Sequence, residues 1–311
     1  MRRIIFATLL ASCISISHAG YEEGIAALKA KNYVLALQEF RPLAEQGDAA
    51  AQHHLGLMYA NGRGVIRDYV QAVNWYRKAA EQGYANAQSN LGVMYEKGQG
   101  VPQDHAQSVD WFRKSAEQGD ANSQAILGIR YFEGKGVTKD DVQAVSWFRK
   151  SAEQGNSAGQ SLLGIAYEIG LGMAQDNAKA VNWYRSAAEQ GEAKAQTRLG
   201  SMYEKGHGVP QDYTQAVSWY TKAAEQGDVN AQIKLGSMYE NALGVSQDWV
   251  VAYALFNLVA VYGNAEAIKH RDVVTSKMTP KQIESGQRLT SEMAKPSSLN
   301  KAIAAYLTSK I

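Results

Sequence analysis

A chain of 311 residues, 45% hydrophobic and 20% charged with only five prolines, has the make-up of an ordered helical or repetitive protein, and it excludes general disorder. Its 32 basic side chains stand against 30 acidic ones, and once Arg2 and Arg3 are set aside the remaining 30 balance the acids. A near-neutral body carries no electrostatic footprint for nucleic acid or for an anionic membrane, so neither is expected as a partner.

The chain opens on Met1-Arg2-Arg3, continues in an apolar run from Ile4 to Ile16, and reaches Ser17-His18-Ala19 ahead of Gly20 and the acidic Glu22-Glu23. This is the pattern of a secretory leader, residues 1–19, with cleavage after Ala19 and an exported, periplasmic or secreted bacterial product. Two other readings stand beside it. Leu10-Ala11-Ser12-Cys13 fits a lipoprotein box that would leave Cys13 as a lipid anchor, although Ile14 and Ile16 continue the apolar run beyond it, and the segment also fits an uncleaved anchor. Cleavage at Ala19 removes the one cysteine and leaves no transmembrane segment, so stability has to come from packing.

From Asp48 onward the chain repeats itself every 36 residues without insertion. Leu-Gly recurs at Leu55-Gly56, Leu91-Gly92, Leu127-Gly128, Leu163-Gly164, Leu199-Gly200 and Leu235-Gly236. Tryptophan keeps the same step at Trp75, Trp111, Trp147, Trp183 and Trp219, with Leu255 in the sixth place. The six units are 48–83, 84–119, 120–155, 156–191, 192–227 and 228–263.

In the second unit, a helix is predicted from about Asn86 to Lys97, ended where Gly98 and Gly100 permit a left-handed backbone. Asp104 is expected to cap the next helix, with the Gln107 side chain reaching back to the cap's own backbone donor. Asp68/Gln71, Asp140/Gln143 and Asp212/Gln215 share that spacing, and Glu-Gln-Gly closes the helices that end at Gly47, Gly83, Gly119, Gly155, Gly191 and Gly227. Tyr69, Ala72, Val73, Tyr76 and Ala80 form an apolar stripe widened by Trp75 and Ala79, too broad for one partner helix, so hairpins must stack on one another. The glycine after each leucine sits inside a helix, at a cost of about 1 kcal/mol relative to alanine. The offsetting gain expected is close approach, with a tryptophan ring from the second helix lying on bare backbone at Gly92.

The runs Ala-Gln-x-x-Leu-Gly-x-Met-Tyr-Glu-x-Gly-x-Gly-Val at 87–101 and Ala-Val-x-Trp-Tyr-x-Lys-Ala-Ala-Glu-Gln-Gly at 72–83 resemble the Sel1-like repeat family, a branch of the tetratricopeptide superfamily. The resemblance implies an all-α fold, a right-handed α/α superhelical solenoid whose concave groove serves as a platform for a protein or peptide partner. Residues 20–47 then look like a preceding tetratricopeptide-type hairpin with Ala26, Leu28, Leu35, Ala36 and Phe40 apolar. Residues 264–311 look like capping helices and a tail, with Thr279, Pro280 and Gln282 forming a helix start. Bacterial members of the family act as envelope scaffolds, regulators, host-interaction factors and helpers of polysaccharide export. A cysteine-rich subgroup is linked to penicillin binding and weak beta-lactamase activity, but this chain lacks that subgroup's paired cysteines.

No catalytic, cofactor or metal site is expected. None of His53, His54, His105, His207 and His270 stands one helical turn from another histidine, and no cysteine is left to assist. The single Ser-x-x-Lys, Ser298 to Lys301, lacks the companion motifs of acyl-enzyme chemistry and reads as a helix start. The Gly-x-Gly loops recur once per unit and read as turns. Binding is therefore sought where a unit breaks its own pattern: Arg130 in place of the recurring methionine, Phe132 in place of glutamate, and Ile169 and Leu171 where other loops place Lys97, Gln99, Lys205 and His207. The alternative is that Phe132 and Ile169 simply pack together across adjacent units. Past Pro296, the stripe Leu299, Ile303, Tyr306 and Leu307 either covers an open end of the stack, lies in a groove or joins a second copy.

Overall fold

The computed structural model describes residues 19–310. All of the expected 1–19 leader but Ala19, Cys13 included, lies outside the described residues. Every regular element among the described residues is helical. Residues 19–29 form α1, which pairs with α2, Tyr33–Glu45. The repeats supply α3 (Ala49–Asn61), α4 (Tyr69–Glu81), α5 (Ala85–Lys97), α6 (His105–Glu117), α7 (Ala121–Glu133) and α8 (Asp141–Glu153). They continue as α9 (Ser157–Ile169), α10 (Asn177–Glu189), α11 (Ala193–Lys205), α12 (Tyr213–Glu225), α13 (Val229–Asn241) and α14 (Trp249–Ala260). The chain finishes with α15 (Ala265–Thr275), α16 (Pro280–Met293) and α17 (Leu299–Thr308). The helices gather into two compact units, one ending at Ser151 and the other starting at Ala152, and within the units consecutive repeat helices pack on one another, as α3 on α4, α4 on α5, α10 on α11 and α11 on α12. No helix among the described residues is long and apolar enough to cross a membrane.

Five of the six repeats end their first helix on a left-handed glycine, as at Gly98 (φ 64°), and the sixth on a left-handed Ala242 (φ 57°). The second glycine of that loop does something further. A Cβ on Gly100 would lie 2.2 Å from the Tyr69 carbonyl oxygen at the start of α4, so the loop rests directly on the preceding repeat.

The aspartate caps form as expected, with Asp104 accepting from the backbone of Ala106 and Gln107. The Gln107 side chain does not complete a capping box there. The N–H of Asp104 already donates to the Tyr95 carbonyl at 2.9 Å, and the same bond recurs from Asp68 to Tyr59 and from Asp212 to Tyr203. A reciprocal box does form where it is expected at α16, between Thr279 and Gln282.

Bare helix backbone is indeed covered by a ring, but the ring is not tryptophan. A Cβ on Gly92 would meet Phe112 at 3.1 Å; on Gly56, Tyr76 at 2.6 Å; on Gly128, Phe148 at 2.5 Å. The residue after each tryptophan, about 100° further round the helix, points inward at the partner helix. Tryptophan points instead at the preceding repeat: Trp75 packs on the core of α2 and α3, Trp111 on that of α4 and α5, and Trp219 on that of α10 and α11. A lysine one turn on covers its outer face, with Nζ 4.0 Å from the ring centre for Lys78 over Trp75 and for Lys114 over Trp111.

Glutamines bind each hairpin to the next. Gln88, buried, donates its side-chain amide to the Ala80 carbonyl at the end of α4 (3.1 Å) and accepts from Gln118 at the end of α6 (2.7 Å). Gln52 with Gln82, and Gln196 with Gln226, repeat the arrangement at 2.8 Å. The Ala80 carbonyl, which also accepts from the Gly83 N–H at 3.0 Å, thus gains a second donor from the following repeat.

At the N-terminal hairpin, Ala36 and Phe40 are buried, Leu28 is half-buried, and Ala26 and Leu35 turn out to solvent, their places in the core being taken by Ala27, Leu43 and Ala44. At the other end, α16 packs on α14, and Leu255, which stands where other repeats have tryptophan, is wholly buried. Helix α17 folds back on α16 and α12. Leu299, Ala302 and Ile303 are buried, the Asn300 N–H donates to Glu225 (2.7 Å), and Lys310 pairs with Asp248 (2.6 Å).

Candidate interaction face

Within each unit the first helices of successive repeats lie side by side and present the same positions to one face. Within the second unit, carboxylates on one first helix reach bases on the next: Glu168 to Arg198 at 3.0 Å, Glu204 to Lys234 at 3.4 Å and Glu240 to His270 at 3.3 Å, each thirty residues on. Two of these glutamates also accept from the inward ring below, Tyr184 to Glu168 at 2.6 Å and Tyr220 to Glu204 at 2.5 Å. Burial first, and the glutamate bond second, push both tyrosine hydroxyls well above their usual titration. They are structural donors at any working pH.

The same logic places Arg130. In the first unit, the position thirty residues after Glu96 holds Ile126, which cannot pair. Arg130, one turn further along α7, bonds Glu96 at 2.7 Å and Glu133 at 2.6 Å. Its departure from the recurring methionine repairs a missing rung, and its guanidinium is already engaged within the chain.

The remaining expected site residues divide between the two units. Phe132, also on α7, is 40% exposed, with the Lys139 ammonium 5.4 Å from its ring centre. Ile169, the last residue of α9, is 57% exposed. Leu171 is half-buried in the loop that follows, and its N–H donates to the Ala166 carbonyl to finish the helix. Ser298 stands at the start of α17 and donates its hydroxyl to the carbonyls of Glu292 (2.7 Å) and Lys295 (2.5 Å). Among the described residues no three histidine, cysteine or acidic side chains gather as a metal would need.

Two features went unseen in the sequence. In the second unit a groove of about 420 Å³ runs over the first helices, lined by Glu168, Lys194, Arg198, Ser201, Lys205 and Lys234 among others. Reading charge, rather than hydrophobicity, down the equivalent positions of the repeats would have located it. In the first unit His53 and His54 sit among Tyr21, Phe40, Tyr76 and Tyr84, with the His54 ring stacked 4.9 Å from Phe40. His53 is 7% exposed and its Nε2 meets the Asn90 amide at 2.9 Å. Burial, and then the neighbouring His54, push its pKa down to about 4. The signal was histidine at a position held by Ser89 and Ser161 in other repeats.

A profile of the Sel1 repeat matches residues 49–84, 85–120, 121–156, 157–192, 193–228 and 229–258. Among solved structures, the chain is similar to a Sel1 repeat protein from Oxalobacter formigenes, with 35% identity over 76% of this chain and 95% of that one and a TM-score of 0.72. It is also similar to a protective antigen of uropathogenic Escherichia coli strains displaying an SLR fold, with 28% identity over 97% of each chain and a TM-score of 0.51. No curated protein shows significant similarity to it.

Proposed function

Because the chain belongs to the Sel1 repeat family, we propose that it is a non-enzymatic exported protein that holds a protein or peptide partner along the face of its first helices. One observation carries this reading. The six repeats provide an internal comparison in which every packing position is nearly fixed while the face varies. Leu55, Leu91, Leu127, Leu163, Leu199 and Leu235 are identical and buried; one residue earlier stand His54, Asn90, Ile126, Leu162, Arg198 and Lys234. Residues needed only for stacking repeat, so the freedom at the face is freedom to specify a partner.

Phe132, Ile169 and Leu171 supply apolar contact in this reading, and Arg130 ties α7 to α5 through Glu96. The N-terminal segment supports export to the periplasm or beyond, and a structural relative described as a protective antigen is in keeping with an exported protein. Mass spectrometry of the mature chain is expected to find Gly20 at its start; a lipid on Cys13 would replace the freely exported product with an anchored one. The binding face is tested by recovering partners from envelope extracts with the wild type and with a Phe132→Glu, Ile169→Lys variant of unchanged helicity and melting. The expected result, repeated with the purified partner, is at least about a tenfold loss of affinity. Equal affinity discards these residues as the site.

A further inference from the structure

Within the second unit the face changes character from one first helix to the next. On α9 the equivalent positions are Leu162, Ile165 and Ile169; on α11 they are Arg198, Ser201 and Lys205, with Lys194 one turn before. Lys194, Arg198, Ser201 and Lys205 fall at intervals of four, three and four residues, which puts them on one stripe, and all four line the groove. No other first helix of the six repeats carries three bases: α5 has Lys97, α7 has Arg130, α13 has Lys234, and α3 and α9 have no lysine or arginine.

The acids lining this stretch are largely engaged. Glu168 accepts from Tyr184 and Arg198, and Asp228 caps α13 through the Ala231 N–H while accepting from Thr197 at 3.0 Å. Glu204, beside them on α11, accepts from Tyr220 and pairs with Lys234. Lys194 and Lys205 are exposed and have no ion pair among the described residues. Glu266 at the far end of the groove is the acid that remains unpaired. An aliphatic strip therefore gives way to a strip of exposed cations in an otherwise charge-balanced protein.

We infer that the groove over α11 and α13 receives an acidic polypeptide segment, its carboxylates meeting Lys194 and Lys205 and an aliphatic side chain seating beside the groove on Leu162 and Ile169 of α9. This rests on the protein-binding reading above and adds the chemistry of the partner. Carboxylates arriving on exposed lysines contribute more to the rate and selectivity of encounter than to intrinsic affinity, so binding is expected to weaken as salt rises.

Fluorescence anisotropy tests it with the full mature chain and a labelled peptide in which leucines are followed by glutamates. A glutamine version of the peptide and heparin serve as comparisons. The expected result is binding of the glutamate peptide, at least about tenfold weaker binding of the glutamine peptide, and a loss of similar size for Lys194→Glu, Lys205→Glu at unaltered melting temperature. Equal binding of both peptides, or of wild type and variant, overturns the assignment. If the glutamine peptide binds equally well and Phe132→Glu, Ile169→Lys abolishes that binding, the acidic partner fails while the protein-binding reading stands. Tight binding of heparin without the glutamate peptide overturns it in favour of a polysaccharide.

Discussion

Replacing Gly128 by alanine sets two effects of known sign against each other. Alanine favours the helix by about 1 kcal/mol over glycine. The new methyl would sit 2.5 Å from the Phe148 ring and 2.9 Å from the Ala144 carbonyl oxygen, where carbon contacts normally lie at about 3.5–4.0 Å. Phe148 and Ala144 are both buried, and one obstacle is backbone, so relief requires α8 to move away from α7. Overpacking of this kind costs about 1–3 kcal/mol, and the rigid backbone wall places it at the upper end, leaving a net loss of about 2 kcal/mol. At Gly92 the nearest ring atoms are 3.1 Å away and none is backbone, so a shift of a few tenths of an ångström suffices and Gly92→Ala is expected within about 1 kcal/mol of wild type. Urea unfolding followed by circular dichroism, with the slope checked for constancy, measures both. The cost of Gly128→Ala is expected to shrink in a Phe148→Leu background, because the two changes meet at one contact. A Gly128→Ala protein as stable as wild type, or less affected than Gly92→Ala, refutes the close-packing account.

Stability should fall with acid in a window set by His53. Its folded pKa is about 4 and its unfolded value 6.5, so between these the unfolded chain alone takes up the proton. The contribution is complete above pH 6.5, is lost on the way down to about 4 and then levels off, for a total of roughly 3 kcal/mol. His53→Ser, the residue of repeats two and four, should flatten that part of the pH profile, and identical profiles for the two proteins would contradict the assignment. Gln88→Ala should cost about 1–2 kcal/mol in the same urea assay by removing the two hydrogen bonds of a buried amide, to the Ala80 carbonyl and from Gln118, and Gln118→Ala, at an exposed position, less than about 1 kcal/mol; the reverse order counts against the glutamine link.

The period, the hairpins and most helix ends were legible because six copies of one motif record the same packing problem. Asp104 and Gly98 announce their roles locally, and local roles are what a sequence displays. What was misread depends on direction or on distant partners. Trp111 and Phe112 are adjacent aromatic residues, and only the rotation of α6 against α5 decides which meets Gly92. The capping box at Asp104 was lost to a carbonyl nine residues back, on another helix. Arg130 looked like a partner-binding residue because its reason, Ile126 at the position of a base, shows only once α5 and α7 are side by side. Lys194 and Lys205 were overlooked because exceptions were sought in hydrophobicity, whereas this exception is one of sign.

The glutamine links have a consequence for how such a protein can change. Both ends of each such link are the same two chemical groups, an amide above and a carbonyl below, so this joint carries no private key to a particular neighbour. The joint is generic, like a standard thread, and whatever the outward side chains become, the next hairpin still fits. New specificities can thus be tried one helix at a time without renegotiating the architecture that displays them.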